Sequence, residues 1–140
     1  MGTQHKTLSR TRGFGLVECA VALAVSGVLV AVALPSFRAQ QLRSHRIEAP
    51  QSLQRIQLAQ EQYRGEHGRY AEQLSQLPGA ADTSPRGHYR IVLHSHGPQA
   101  YELVAQAVGE QLRDKDCTTL TLRIEGALSH QEPSARCWNA

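Results

Sequence analysis

Three groups of residues in this sequence are of types that could do chemistry: a cluster of histidines, a pair of cysteines and a lone acidic residue in an apolar run. His88, His94 and His96 lie within nine residues, and the spacing of the last two would place both imidazoles on one face of a strand. Two imidazoles can hold a transition metal, but the sequence identifies no third ligand. Ordinary surface histidines beside a turn are therefore the favoured interpretation, and we predict no metal site.

Cys117 and Cys137 offer either a reactive thiol or a disulfide. A thiol nucleophile needs a fixed base beside it, and no such base is evident near either cysteine. In an exported chain disulfides persist, and a bridge here would close a loop of about 20 residues, worth about 3 kcal/mol in the chain-entropy model. The disulfide is the favoured interpretation. Cys19 lies inside the apolar run and is interpreted as a small hydrophobic residue.

No other cluster indicates catalysis. Asp114 and Asp116 alternate with Arg113 and Lys115, a pattern typical of a solvated charge cluster. The sequence matches no phosphate-binding glycine loop, nucleophile elbow or catalytic triad. We therefore predict no enzyme activity, no catalytic residue and no cofactor.

The lone acidic residue is Glu18, the single charge among the 24 residues from Phe14 to Phe37. An ionised carboxylate in hydrocarbon is costly unless it is neutralised or paired, so Glu18 is a functional candidate. Lys6, Arg10 and Arg12 precede the run, and no acidic residue does. The 140-residue chain holds 15 basic and 12 acidic residues, so this leader accounts for the whole net charge of +3. A nucleic-acid binder argued from overall charge thereby loses its main support.

A basic leader before an apolar run suggests export, and several kinds of N-terminal segment compete. A secretory signal could be cut after Ala33, and a membrane anchor would span the bilayer with about 20 apolar residues. A lipoprotein signal would place its cysteine after the run, whereas Cys19 lies near the start, directly after Glu18. None of these three explains an acidic residue at the fifth position of the run.

The segment Arg12-Gly13-Phe14-Gly15-Leu16-Val17-Glu18, followed by an apolar stretch that ends in Leu34-Pro35-Ser36-Phe37, resembles the class III signal of type IV pilins. The resemblance implies that a prepilin peptidase cuts between Gly13 and Phe14, that Phe14 is N-methylated, and that Glu18 becomes the fifth mature residue. It also implies a leader over residues 1–13, a transmembrane and assembly helix over 14–37, and a periplasmic or extracellular head over 38–140.

The resemblance gives Glu18 a role in assembly. An N-terminal amine buried in a helical bundle needs a counter-charge, because an unpaired buried ion is strongly unfavourable. Glu18 of a neighbouring subunit could supply that charge and set the axial register as subunits add. The alternative is a carboxylate that merely lies at the level of the lipid headgroups.

The elements that position these residues are a long helix and a small sheet. Apolar and amide side chains recur at helical spacing after Phe37; this set is Leu42, Ala49, Leu53, Ile56, Gln60 and Tyr63. Arg46 is among the residues expected on the surface. We predict a helix from Phe14 to about Arg64, interrupted by Pro35 and Pro50 and ended by the glycines of segment 65–68. A loop rich in turn formers follows over 71–86.

Three strands are predicted over residues 89–94, 101–108 and 120–124, the last from its clean alternation of apolar and polar residues. One short antiparallel sheet packed on the helix is the economical arrangement. This α+β fold is also what the pilin resemblance implies.

The resemblance is greatest to the short PilE-like minor pilins. It implies a structural subunit that is held in the inner membrane, processed, and assembled with other pilin subunits by the inner-membrane pilus machinery. The extracellular pilus would then support twitching motility or adhesion. The pair Cys117 and Cys137 resembles the disulfide-bounded terminal loop of type IV pilins and argues against the secretion-system pseudopilins.

Two other functions remain open. A minor pilin that captures DNA during uptake would need a basic stripe on its head, for which the candidates are Arg86, His88, Arg90, Arg113 and Lys115. A secreted metal-binding protein cut after Ala33 would begin at Leu34, whereas a mature pilin would begin at Phe14.

Overall fold

The computed structural model describes residues 15–139, and these fall into two compact units that meet between Phe37 and Arg38. Gly13 and Phe14, the predicted cleavage and methylation site, lie outside the described residues. In the first unit, helix α1 (Leu16–Arg46) carries the apolar run, and its side chains are exposed as far as Phe37. By length and composition, a helix that begins at Leu16 could cross a membrane.

Helix α2 (Glu48–His67) follows α1 after a break at the single residue Ile47. Pro50 explains the break, since a proline has no N–H to donate to the carbonyl four residues earlier, here that of Arg46, and its ring crowds that carbonyl. The regular pattern resumes where the Gln51 N–H donates to the Ile47 carbonyl at 3.3 Å. A break is present near Pro50, as predicted, whereas α1 continues through Pro35 without one.

The end of α2 lies at the predicted glycines. Gly68 adopts a left-handed conformation with φ of 72° and donates its N–H to the Arg64 carbonyl at 2.8 Å. A residue without a Cβ adopts this conformation at little cost, which is why glycine so often terminates helices. The helix passes through Gly65, a few residues beyond the predicted end at about Arg64.

Four antiparallel strands form one sheet in the order β1-β2-β3-β4. They are β1 (Tyr89–Ser95), β2 (Ala100–Ala107), β3 (Thr119–Glu125) and β4 (Leu128–Glu132). The three predicted strands are confirmed within a residue or so at each end, and β4 was not predicted. Every residue of β4 is exposed, so this strand lacks the apolar alternation by which β3 was recognised.

The core of the second unit lies between α2 and one face of the sheet. Leu103 of β2 is opposite Leu93 of β1 and Leu122 of β3, so apolar side chains line this face across three strands. Leu53 and Ile56 of α2 belong to the same buried cluster. The fold is α+β, as predicted.

Candidate functional site

The N-terminal end of α1 places Glu18 in the first turn of the helix. Its Oε2 accepts a hydrogen bond from the Gly15 N–H at 3.0 Å, the contact that a glutamate at the third helical position makes with the residue that caps the helix. A negative charge there also complements the positive end of the helix dipole. The carboxylate is therefore directed towards the start of its own helix. Its partner there, Gly15, directly follows Phe14 in the chain.

Cys19 is the free cysteine among the described residues, and it is exposed on α1. Its neighbours along the helix are exposed apolar side chains, such as Leu16 and Leu23. No described residue beside it provides a reason to treat it as a reactive thiol, and its interpretation as a small apolar residue stays a prediction.

The other two cysteines form a disulfide. Cys117 and Cys137 are bonded with their Cα atoms 5.5 Å apart, and both are almost fully buried. The bond joins a short 3₁₀ helix (Lys115–Cys117) to the last helix, α3 (Ala135–Trp138). Trp138, immediately after Cys137, packs into the apolar core and donates its indole N–H to the Glu132 carbonyl at 2.9 Å. The disulfide thus fixes the C-terminal segment to the connection between β2 and β3.

The predicted solvated cluster at residues 113–116 is wrong for Asp114. This carboxylate is 8% exposed and accepts two hydrogen bonds from Arg46, from Nε at 2.8 Å and from Nη2 at 2.7 Å. Arg46, expected on the surface, is 7% exposed, and hydrogen bonding to Asp114 raises the pKa of its guanidinium despite the opposing effect of burial. Because two charges removed from water must be paired, this bidentate contact determines how the loop meets α1.

Gln111 completes the same contact. It is fully buried and its side-chain N–H₂ group donates to the Leu42 carbonyl and to the Tyr89 hydroxyl, each at 3.0 Å. Burial raises the pKa of Tyr89 to about 12, so its hydroxyl stays protonated and can serve in this network. Sequence reasoning missed Arg46 and Gln111 as a site, because the pair Arg46 and Asp114 is separated by 68 residues.

A second buried carboxylate holds the loop that precedes β1. Glu48 of α2 is 3% exposed. Its Oε2 accepts hydrogen bonds from the Ser84 hydroxyl at 2.7 Å and from the Arg86 backbone N–H at 3.2 Å. Its Oε1 lies 2.7 Å from Nε of the Arg86 side chain. Burial acts to raise the pKa of Glu48, but these hydrogen bonds and the charges of His88 and Arg86 outweigh it and leave the pKa below its usual value. Arg86, one of the predicted DNA-binding candidates, is therefore engaged in an ion pair.

The three histidines considered as metal ligands occupy different places in the fold. His94 lies on β1, whereas His96 lies beyond the end of that strand, and both are exposed. His88 instead stacks on His45 of α1 with the ring centroids 4.0 Å apart. Burial lowers the pKa of His45, and the charges of His88 and Arg86 lower it further. Within residues 15–139, no group of three or more potential ligands could hold a metal ion.

With the apolar helix, the sheet and the disulfide-closed end described, the protein can be placed in a class. A prokaryotic N-terminal methylation motif matches residues 8–34, which include the segment from Arg12 to Glu18. Together with the fold, this match defines a type IV pilin, as the sequence resemblance predicted.

The particular family follows from a second match. The model described as "Type IV minor pilin ComP, DNA uptake sequence receptor" matches residues 35–121, more than half of the chain, and the chain belongs to this family of structural minor pilins. The type IV major pilin protein PilA of Myxococcus xanthus (strain DK1622) is 34% identical over 82 residues, which cover 59% of this chain. The matched part spans 37% of the length of that relative.

Proposed function

We propose that this minor pilin is made with a leader over residues 1–13, that a prepilin peptidase removes the leader between Gly13 and Phe14, and that the new N-terminal Phe14 is methylated. The subunit is then held in the inner membrane by residues 14–37, with residues 38–140 as its head, and enters an extracellular pilus with other pilin subunits through the assembly machinery. Its part is structural, with no catalytic step and no cofactor, and serves motility or adhesion.

The observation that carries this proposal is the combination of an exposed apolar helix with a single carboxylate in its first turn. An apolar surface of this extent needs lipid or neighbouring helices to cover it, because large apolar patches are rarely left in water. Glu18 is the one charged side chain on that surface between Leu16 and Phe37.

Glu18 provides a reason for ordered assembly. After the cut, the amine of Phe14 would begin the mature chain, and an unpaired amine in a helical bundle is strongly unfavourable. The carboxylate of Glu18 in an adjacent subunit neutralises this amine only at one axial offset between the two helices. Pairing therefore sets the register with which each subunit is added.

Three variants separate charge pairing from helix capping. Glu18→Ala removes both the charge and the hydrogen bond to Gly15, whereas Glu18→Gln removes the charge and retains an acceptor for that hydrogen bond. Both variants should insert into the membrane as the wild type does, and both should be lost from sheared filaments. Cys19→Ala is the neighbouring control and should be incorporated normally. Normal incorporation of Glu18→Gln would show that the charge does not set the register.

N-terminal sequencing of the mature chain tests the processing step. A chain that starts at Phe14 supports prepilin processing, and a chain that starts at Leu34 would instead support secretion after cleavage at Ala33. Gly13→Val should leave the leader attached, because a branched side chain replaces the hydrogen of glycine beside the bond to be cut.

DNA capture is a second candidate function, and one observation favours it: the family model that matches residues 35–121 is described as a receptor for DNA uptake sequences. Retention of labelled duplex DNA by the full chain in detergent micelles tests this function directly. Retention that falls steeply with salt concentration supports it, because contacts to phosphates release counterions. No retention at low salt would refute it.

A further inference from the structure

A groove on the head unit gathers basic residues from three parts of the chain. Its volume is about 680 Å³. One wall is the last part of α1, the second is the loop over residues 113–116, and the third is the C-terminal segment. We call it the basic groove; its lining residues are Ala39, Leu42, Arg43, Arg46, Arg113, Asp114, Lys115, Asp116, Arg136 and Asn139.

The charge of the basic groove differs from that of the unit around it. Five of its lining residues are basic and two are acidic, whereas residues 38–140 as a whole contain 12 basic and 11 acidic residues. The positive excess of the head is therefore concentrated here. A concave surface lined by one sign of charge attracts ligands of the opposite sign more strongly than the same charges spread over a convex surface.

The residues of the groove are not equally available to a ligand. Arg46 is committed to Asp114 in the buried pair. Arg113 contacts Glu110 at 2.9 Å and Arg136 contacts Asp116 at 2.6 Å, but these side chains are more than half exposed, and exposed pairs contribute little. Arg43 and Lys115 have no ion-pair partner within residues 15–139. The groove thus presents two free cations and two that can be recruited.

The walls of the groove are fixed by contacts already described. Arg46 and Gln111 hold the loop against α1, and the disulfide holds Arg136 close to the same loop. A site of fixed shape loses less conformational entropy when a ligand binds.

We propose that the basic groove binds the phosphate backbone of DNA. This inference rests on the second candidate function, DNA capture, and assigns to it a location. Guanidinium groups suit phosphate oxygens because their N–H donors form a planar fork. Among residues 15–139, no aromatic side chain lines the groove to stack on a base. Its contacts therefore supply affinity and position, and they do not read the base sequence.

The location agrees only in part with the one expected from the sequence, because Arg113 and Lys115 line the basic groove and the other three candidates do not. Arg86 pairs with the buried carboxylate of Glu48, which would be left uncompensated if Arg86 turned to a ligand, and His88 is stacked on His45. This part of the predicted stripe is therefore engaged within the head. Lys115 belongs to the basic groove, where Arg43, which was not among the candidates, joins it from α1.

The test compares two double variants of the full chain in detergent micelles. Arg43→Gln with Lys115→Gln removes two free cations from the groove, and Arg55→Gln with Arg69→Gln removes two exposed cations outside it. Binding of a fluorescent duplex is measured by anisotropy between about 50 and 200 mM salt, for two duplexes of unrelated sequence. The affinity of the wild type falls by some factor between these two salt concentrations. If the variant has lost two phosphate contacts, its affinity falls by a factor about tenfold smaller over the same range.

The expected result is that the salt dependence of the groove variant is reduced by this amount for both duplexes, while the control variant binds as the wild type does. Equal loss in both variants, or none in the groove variant, would overturn the assignment of the site while leaving DNA capture intact. Loss for one duplex alone would overturn the backbone role. A wild type that binds no DNA would refute DNA capture itself. Unchanged DNA binding, combined with lost binding to vesicles of anionic phospholipid, would assign the groove to a membrane surface.

Discussion

The buried pair of Arg46 and Asp114 leads to a prediction with a matched control in the same loop. Asp114→Asn keeps the shape of the side chain and one acceptor oxygen but removes the charge that Arg46 faces. Asp116→Asn makes the same chemical change two residues away, where the carboxylate contacts Arg136 at 2.6 Å. The two pairs differ chiefly in burial: the side chains of the first pair are 8% and 10% exposed, and those of the second are 71% and 72% exposed.

The expected costs differ severalfold. Removing one partner of a buried pair leaves an uncompensated charge and costs about 3–5 kcal/mol. Because asparagine can still accept one hydrogen bond from Arg46, we expect the lower end, about 3 kcal/mol, for Asp114→Asn. An exposed pair is worth about 0–1 kcal/mol, so Asp116→Asn should be nearly neutral. The difference is a large part of the stability of a small unit, which is about 5–15 kcal/mol.

Unfolding of the head in urea measures the difference. Trp138 is the only tryptophan of the chain and packs in the core of the head, so its fluorescence reports unfolding of this unit. With a urea dependence of about 1–3 kcal/mol per molar, a loss of about 3 kcal/mol lowers the midpoint by about 1–3 M. The full chain in detergent micelles is used throughout.

Equal midpoints for Asp114→Asn and Asp116→Asn would refute the argument, because burial would then not determine the value of the pair. Replacing both partners, Arg46→Met with Asp114→Leu, should be less destabilising than Asp114→Asn alone, since no charge is left unpaired. A double variant that is less stable than the single variant would show that the cost comes from lost packing.

Three further predictions concern the head. Cys117→Ser with Cys137→Ser opens a loop of about 20 residues and should cost about 3 kcal/mol by the same urea measurement, whereas an unchanged midpoint would contradict the entropic argument. Gln60→Leu deprives two buried backbone groups of the partner that they have at 2.8 and 3.0 Å, and should cost about 1–3 kcal/mol for each; a neutral result would show that water replaces the amide. In an NMR titration, His45 should have a pKa below 6.5, mainly because of burial, and the variant His88→Gln should raise that pKa. Because the pKa is lower in the folded state, the neutral form of His45 stabilises the fold above pH 6.5, and this contribution is lost as the pH falls.

The first helix was predictable from its long apolar run, the second from apolar residues at helical spacing, and β3 from its alternation of apolar and polar residues. The fourth strand was not, since all five residues of β4 are exposed. A local signal was nevertheless present. Glu125 of β3 pairs with Leu128 of β4, so Gly126 begins a two-residue hairpin turn with φ of 58°. A glycine at the first position of such a turn is a recognised hairpin pattern, and it identifies the strand independently of burial.

The buried pair could not be predicted in the same way. The stretch of alternating charges from Arg113 to Asp116 has the composition of a solvated loop, and only one of its two carboxylates faces α1. Which one does so depends on the disulfide and on Gln111, whose partners Leu42 and Tyr89 lie 69 and 22 residues away in sequence. Local pattern rules contain no information about contacts at that separation.

The disposition of apolar residues explains why the head relies on polar contacts. The segment that ends at Phe37 exposes its large apolar side chains, so they contribute nothing to the core of the head. Residues 38–140 contain only 18 Leu, Ile and Val residues. The head adds fully buried amides that bond to backbone groups, Gln60 and Gln111, and a disulfide. Directional contacts of this kind are costly when unpaired, so they disfavour alternative packings of a small core. A minor pilin can in this way keep its largest apolar surface for membrane and filament and still fold a defined head.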